Sequence, residues 1–199
     1  MTGEFDAVLA ATVLQRLTSF DLVVDLGSGE SKVMQGIEFL DLVSQGKMSV
    51  DGEEIIVVGG GNTAVDAARS AFRLGANSVK IIYRRTREEM PAIAEEVDDA
   101  IDEGIAVDFL TAPLKISRDN GKRHLECQRM ELGEPDESGR RRPVPQAGSE
   151  FDMPCDRVIL AIGQAADLSL LPPDAELSSK HPIENGHNAP VYPAGDLLT

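Results

Sequence analysis

The stretch Glu54-Ile55-Ile56-Val57-Val58-Gly59-Gly60-Gly61-Asn62-Thr63-Ala64 decides how this sequence is read. A continuous branched apolar run after the polar turn Asp51-Gly52-Glu53 suits a strand buried on both faces of a parallel sheet. The glycines match G-x-G-x-x-A. In that pattern the first glycine permits a tight turn, the second lets the backbone approach a pyrophosphate, and a small residue at the sixth position lets the helix pack on the strand. The following stretch, Thr63 to Leu74, carries Ala64, Ala67, Ala68, Ala71 and Phe72 at helical spacing and stops at Gly75. Val79-Lys80-Ile81-Ile82-Tyr83 reads as a second strand, so residues 55–83 complete one βαβ unit. A glycine-rich hexapeptide alone is an ordinary tight turn. Strand, helix and second strand together make it a dinucleotide site, with phosphates over the free amides of the helix.

The end of the second strand selects the nucleotide. An NAD site usually carries an acidic residue there, whereas this chain has Tyr83-Arg84-Arg85-Thr86-Arg87. Arginines form forked, charge-assisted bonds to phosphate, so Arg84 and Arg85 point to the 2′-phosphate of NADP(H). The chain otherwise is acidic: 19 Lys and Arg against 34 Asp and Glu give a net charge of −15, which disfavours a generic nucleic-acid surface.

Outward from this unit, Met90, Ile93, Ala94, Val97, Ala100 and Ile101 predict a second helix ending at Gly104, with an acidic solvated face. Strands are expected at 105–110, 114–117 and 123–132, with Asn120-Gly121 as a hairpin turn; an antiparallel β-meander is thus inserted at about 105–155. Residues 133–150, holding three glycines, three prolines and Arg140-Arg141-Arg142, read as an exposed loop. A further apolar strand spans Arg157 to Ile162. Near the N-terminus, Phe5 to Thr12 and Leu22 to Leu26 read as strands and Val33 to Val43 as a short helix.

Several chemistries are unsupported. Cys127 and Cys155 are isolated, and His124, His181 and His187 lack metal-ligand spacing. No apolar run approaches the ~18 residues of a membrane span, and the acidic N-terminus is unlike a signal peptide, so the expected location is cytoplasmic. Leu22-Val23-Val24-Asp25-Leu26-Gly27-Ser28-Gly29 is a rival motif, similar to the S-adenosylmethionine turn of Rossmann-like methyltransferases; the strand that should follow its helix is instead the one that opens the stronger fingerprint.

Val57-Val58-Gly59-Gly60-Gly61-Asn62-Thr63-Ala64 with Tyr83-Arg84-Arg85-Thr86-Arg87-Glu88-Glu89-Met90-Pro91-Ala92 resembles the NADPH-binding domain of glutamate synthase small-subunit-like proteins. It also resembles the NADPH arm of dihydropyrimidine dehydrogenase, within the flavin-dependent pyridine-nucleotide oxidoreductases. The likeness continues through Arg129-Met130-Glu131-Leu132-Gly133-Glu134, Ala161-Ile162-Gly163-Gln164 and Tyr192-Pro193-Ala194-Gly195-Asp196. The resemblance implies that Gly59 and Ala64 shape the turn, that Gly60, Gly61, Asn62 and Thr63 face the pyrophosphate, and that Arg84 and Arg85 face the 2′-phosphate. It implies Ala161, Ile162 and Gly163 beside the nicotinamide and Gly195-Asp196 at a flavin. Hydride would pass from NADPH to FAD and on to iron–sulfur clusters or a partner such as a large glutamate synthase subunit, with no acid or base required.

The expected fold is a Rossmann-like, three-layer α/β NAD(P)-binding domain with the inserted meander. Residues 1–50 are expected to be a lead-in from a missing FAD domain, and residues 51–199 the NADP(H)-binding domain. The earlier FAD fingerprint and cluster cysteines are not in the sequence, and Val13 stands where the family has a glycine, so the chain reads as an excised domain. The competing class is a stand-alone NADP(H) sensor without flavin.

Overall fold

The computed structural model describes residues 8–10, 14–17, 22–25, 32–119, 122–136, 139–166 and 191–193. They contain strands β1 (Val8–Ala10), β2 (Leu14–Leu17), β3 (Val23–Asp25) and β4 (Val33–Gln35), helix α1 (Gly36–Ser44), strand β5 (Glu54–Val58), helix α2 (Asn62–Arg73) and strand β6 (Ser78–Tyr83). Then come helix α3 (Ala94–Asp102) and strands β7 (Ala106–Phe109), β8 (Thr111–Asp119), β9 (Lys122–Pro135), β10 (Arg141–Pro154), β11 (Arg157–Leu160), β12 (Gln164–Ala166) and β13 (Val191–Pro193).

The chain divides into two compact units, one of residues 20–162 and one of residues 1–19 with 163–199. This division differs from the expected boundary near residue 50. In the smaller unit, β1 pairs with β13 in parallel and β2 with β12 antiparallel.

The larger unit is built on a five-stranded parallel sheet of order β4-β11-β5-β6-β7. Its strands alternate between two cores. Ile55, Val57, Ile81 and Ile159 pack with Ala64, Val65, Ala67, Ala68, Ala71, Phe39, Val97 and Ala100 of the helices. Ile56, Val58, Ile82, Val158 and Leu160 pack with Ile116, Leu125, Cys127 and Met153 of the meander. Burial on both sides explains why Ile55 to Val58 shows no polar alternation. The layers are therefore helices, parallel sheet and antiparallel sheet, and all three helices share one core.

Helix α2 presents small residues to β5: Ala64, Ala67, Ala68 and Ala71 are fully buried. It ends in a Schellman turn, with the Gly75 N–H donating to Phe72 O and the Ala76 N–H to Ala71 O, and Gly75 takes the φ of 90° this needs.

Four expectations are corrected. Val33 to Gln35 is a strand, paired with β11, and the helix begins only at Gly36. The second helix begins at Ala94, because Pro91 holds the preceding Met90 extended (φ −72°, ψ 121°), and only a 3₁₀ turn at Arg87–Glu89 precedes it. Residues 106–109 belong to the parallel sheet beside β6, so the meander starts at Thr111 rather than near 105. Residues 133–150 are mostly strand: β9 and β10 pair from Arg141↔Pro135 to Pro154↔His124. Pro143 and Pro145 fit because β10 is an edge strand, where a missing N–H costs little. At the other end, Asp119 pairs with Lys122, leaving Asn120 and Gly121, outside the described residues, as the connecting positions. The meander is tied back to β7 by Arg129, which bonds Asp108 at 2.6 Å and lies 4.3 Å over the Phe151 ring.

Candidate functional site

The chain leaves β5 toward β6 on one side, while β11 arrives on the other side from the meander. In open α/β sheets ligands bind at the strand carboxyl ends where the order reverses in this way. The three glycines occupy that point, and each answers a different demand. Gly59 has a φ of 151°, and an added Cβ would strike the Ala161 carbonyl, with its carbon 2.8 Å away. This closeness follows from the sheet: Ala161 N–H donates to Val58 O at 2.7 Å, and Gly59 N–H to Ile82 O. At Gly60 a Cβ would lie 2.5 Å from Tyr83 Cδ2, in collision with the aromatic ring. At Gly61 it would meet nothing within 4 Å, so the turn is open there.

Gly61 is the N-cap of α2 and contributes no capping side chain. The amides of Asn62 and Thr63 in the first turn have no carbonyl within the helix to bond, and an anion over the helix end is the favourable partner. The Asn62 side chain is otherwise engaged: its Oδ1 accepts from the Ile93 N–H at 2.9 Å. Gly60 O accepts from the Ala92 N–H at 3.0 Å, so the segment after β6 is strapped across the glycine turn. The Tyr83 hydroxyl completes this strap by donating to Glu89 O at 2.8 Å. Thr63 places its methyl 3.0 Å from where a Cβ on Gly36 would sit, which brings the start of α1 to the same place, and Ala64 is fully buried as the small packing residue.

The two arginines at the end of β6 are not equivalent. Arg85 is only 4% exposed; its Nη2 bonds Asp136 Oδ2 at 2.6 Å and its Nε donates to Arg141 O at 2.7 Å. Arg84 is exposed and makes no hydrogen bond or ion pair among the described residues. Partial burial of its guanidinium, then the neighbouring Arg85 and Arg140 cations, lower its pKa below the usual arginine value. It stays charged. Arg87, the third arginine, is paired with Asp98 at 2.5 Å. Thr86 and Glu89 form a capping box that fixes the turn between them.

Ala161 is buried beside Gly59, and Ile162 closes the larger unit. Gly163, with a φ of 101°, belongs to the smaller unit. Gly195 and Asp196 lie outside the described residues, as do His181 and His187. No cluster of three potential metal ligands occurs among the described residues. Cys127 and Cys155 are buried free thiols; burial is the main cause that pushes both up to about 12, which leaves them inert. Val23 to Asp25 of the rival motif pairs with β8 at the edge of the meander sheet, so it does not open a parallel nucleotide-binding unit. No helix among the described residues is long and apolar enough to cross a membrane. Sequence reasoning missed the Tyr83 contact with Gly60 and the division of labour between Arg84 and Arg85. Both depend on where residues distant in sequence come to lie.

Fold and site together define a Rossmann-like dinucleotide-binding oxidoreductase domain. The pattern of the pyridine nucleotide-disulphide oxidoreductase family matches residues 5–186, and the chain belongs to that family, whose cofactors are NADP(H) and FAD. It is 44% identical over 203 residues to the NADP(+)-dependent formate dehydrogenase subunit beta of Moorella thermoacetica, a match covering 98% of this chain and 29% of that one. It is 36% identical over 170 residues to a putative glutamate synthase [NADPH] small chain of Cereibacter sphaeroides, covering 81% of this chain and 40% of the other. The chain thus spans well under half the length of these relatives. Among solved structures, FprA of Mycobacterium tuberculosis in complex with NADPH superposes with a TM-score of 0.73 at 18% identity, over 96% of this chain and 58% of FprA. Thioredoxin reductase of T. acidophilum gives 0.61 at 17%, over 97% of this chain and 57% of the reductase. At such identity these two speak to the fold.

Proposed function

We propose that this chain is the NADPH-binding part of an oxidoreductase that passes hydride from NADPH to FAD and on to an iron–sulfur or partner-subunit acceptor, glutamate synthase small-subunit-like in type. The observation that carries the reading is the juxtaposition of an uncapped α2 N-terminus, behind a turn left open at Gly61, with an exposed Arg84 that forms no ion pair among the described residues.

The residues present fit a dinucleotide diphosphate. Gly59 and Gly60 let the turn close against Ala161 and Tyr83, and Ala64 keeps α2 close to β5. Gly61, Asn62 and Thr63 offer backbone amides to the pyrophosphate, and the α2 dipole adds to their attraction. Arg84 takes the 2′-phosphate. Arg85, held by Asp136 and the Arg141 carbonyl, adds its charge and fixes the backbone from which Arg84 projects. Ala161, Ile162 and Gly163 are assigned to the nicotinamide side, and Gly195 with Asp196 to the flavin of the intact parent. NADPH, when bound, supplies a hydride, two electrons and one proton, and leaves as NADP⁺. The chain's own task is binding and orientation, with no proton to move, and no catalytic side chain is assigned. FAD and the acceptor are placed in further domains or subunits, as suits a chain that covers 29% of its formate dehydrogenase relative, and the reading places the protein in the cytoplasm.

Titration calorimetry of NADPH and NADH against the chain tests this. NADPH is expected to bind more tightly, and Arg84→Ala to weaken NADPH by about 1 to 3 kcal/mol while leaving NADH unchanged. Equal affinity for the two nucleotides would remove the phosphate clamp from the reading.

A further inference from the structure

A second concave site lies on the same parallel sheet, at the opposite end from the glycine turn. A cleft of about 360 Å³ opens between the starts of β5 and β6 and the last part of β10. Its size is at the low end for small-molecule sites, which run to roughly 300 to 1,000 Å³. Glu54 and Ser78 open β5 and β6, whereas the glycine turn follows the carboxyl end of β5, so the two sites share strands and no residues. The sheet pairs Glu54 with Ser78 and Ile56 with Lys80, and strand alternation sends Glu54, Ile56 and Lys80 to the face that the meander covers. Phe151, Met153 and Pro154 of β10 form the other wall. Because β10 is the edge of its sheet, no further strand of the meander closes the cleft.

The ionisable groups show what the cleft can hold. Arg129 and Asp108 neutralise each other at 2.6 Å, and the Arg129 guanidinium lies over the Phe151 ring. One cation, Lys80, and two carboxylates, Glu54 and the exposed Asp152, remain in the lining. Lys80 and Glu54 are half-buried, and neither side chain forms a hydrogen bond or ion pair among the described residues, with each other or with a neighbour. Charges withdrawn from water ordinarily find partners, because their desolvation costs free energy. Two opposite, unmatched charges beside the apolar Ile56, Phe151 and Met153 suit a ligand that carries both signs and a hydrocarbon part. A phosphate is disfavoured, since the single free cation stands with two carboxylates.

We propose that this cleft binds a free α-amino acid with an apolar side chain, its carboxylate on Lys80, its ammonium on Glu54 and its side chain against Phe151 and Met153. The site is separate from nucleotide binding and does not depend on it. It also gives the meander a function beyond covering the sheet, because β10 supplies the apolar wall.

The test uses the full chain with L-leucine, L-methionine and L-phenylalanine as probes in titration calorimetry. Each is compared with its deaminated acid and its decarboxylated amine, which for leucine are 4-methylpentanoate and 3-methylbutylamine. At least one amino acid is expected to bind, roughly tenfold or more tightly than either of its half-ligands, because each half-ligand loses one charge-assisted contact. Lys80→Met should weaken the amino acid and the acid roughly tenfold and spare the amine. Glu54→Gln should weaken the amino acid and the amine and spare the acid. Urea midpoints check that both variants fold, and their affinity for NADPH should match that of the unaltered chain. The inference is overturned if none of the three amino acids binds, if a half-ligand binds as tightly as its parent, or if both variants keep full affinity. Failure of the unaltered chain to bind NADPH would remove the proposed function and leave this site standing.

Discussion

Replacing Gly60 by alanine should destabilise the protein by collision alone. The backbone of Gly60 lies outside the left-handed region, so alanine meets no φ penalty there. The new methyl, however, would stand 2.5 Å from Tyr83 Cδ2 and 2.9 Å from Cζ, where ordinary contact needs at least 3.4 Å. The ring has little room to retreat, being 6% exposed and held by its hydroxyl to Glu89 O. Over-packing of this kind plus one disrupted hydrogen bond amounts to about 2 to 4 kcal/mol. Urea unfolding of Gly60→Ala, Tyr83→Ala and the double variant measures it as a cycle. With the ring gone, Gly60→Ala should cost less than about 1 kcal/mol, a coupling expected only between residues in contact. An equal cost in both backgrounds, or a negligible cost in the first, would refute the contact between the glycine turn and Tyr83.

Three further outcomes are expected. Gly61→Ala, with open space beyond it, should change stability by no more than about 1 kcal/mol yet weaken NADPH in calorimetry, because the methyl would enter the space where the proposed function puts the pyrophosphate. Arg85→Ala leaves Asp136 without its guanidinium and should lower stability by about 2 to 4 kcal/mol in urea unfolding, unlike the exposed Arg84→Ala. Bonds from Arg69 and Arg73 pull the Glu103 carboxyl down to about 2; for Glu53, burial acts upward but the bonds from Arg157 and Lys32 together prevail and lower it. Both folded values lie below the unfolded ones, so the stability from these carboxylates is present above about pH 4.5 and lost as pH falls toward 2. Acid unfolding followed by circular dichroism should accordingly lose part of its pH dependence in Glu103→Gln.

The strand–glycine–helix–strand unit was legible because its signals are local. A four-residue branched run, three glycines and an alanine stripe each constrain backbone and packing over one or two turns. Segments whose state depends on a distant partner were misread for the same reason. Val33 to Gln35 carries the apolar spacing of a helix start, and only pairing with β11, more than a hundred residues later, makes it a strand. Pro143, Pro145 and the glycines of 133–150 announce a loop, and the edge position of β10 beside β9 tolerates them.

At the site the division is the same. The sequence by itself determined a dinucleotide fingerprint and a basic end to the second strand, because turn geometry and charge type are properties of neighbouring residues. Tertiary structure alone decided that Gly60 must be glycine on account of a ring 23 residues away, and that Arg85 is spent on a carboxylate 51 residues later while Arg84 is left exposed. Adjacent arginines look identical in a sequence. Their fates separate only when successive side chains leave the strand end in opposite directions, one toward a buried partner and one toward solvent.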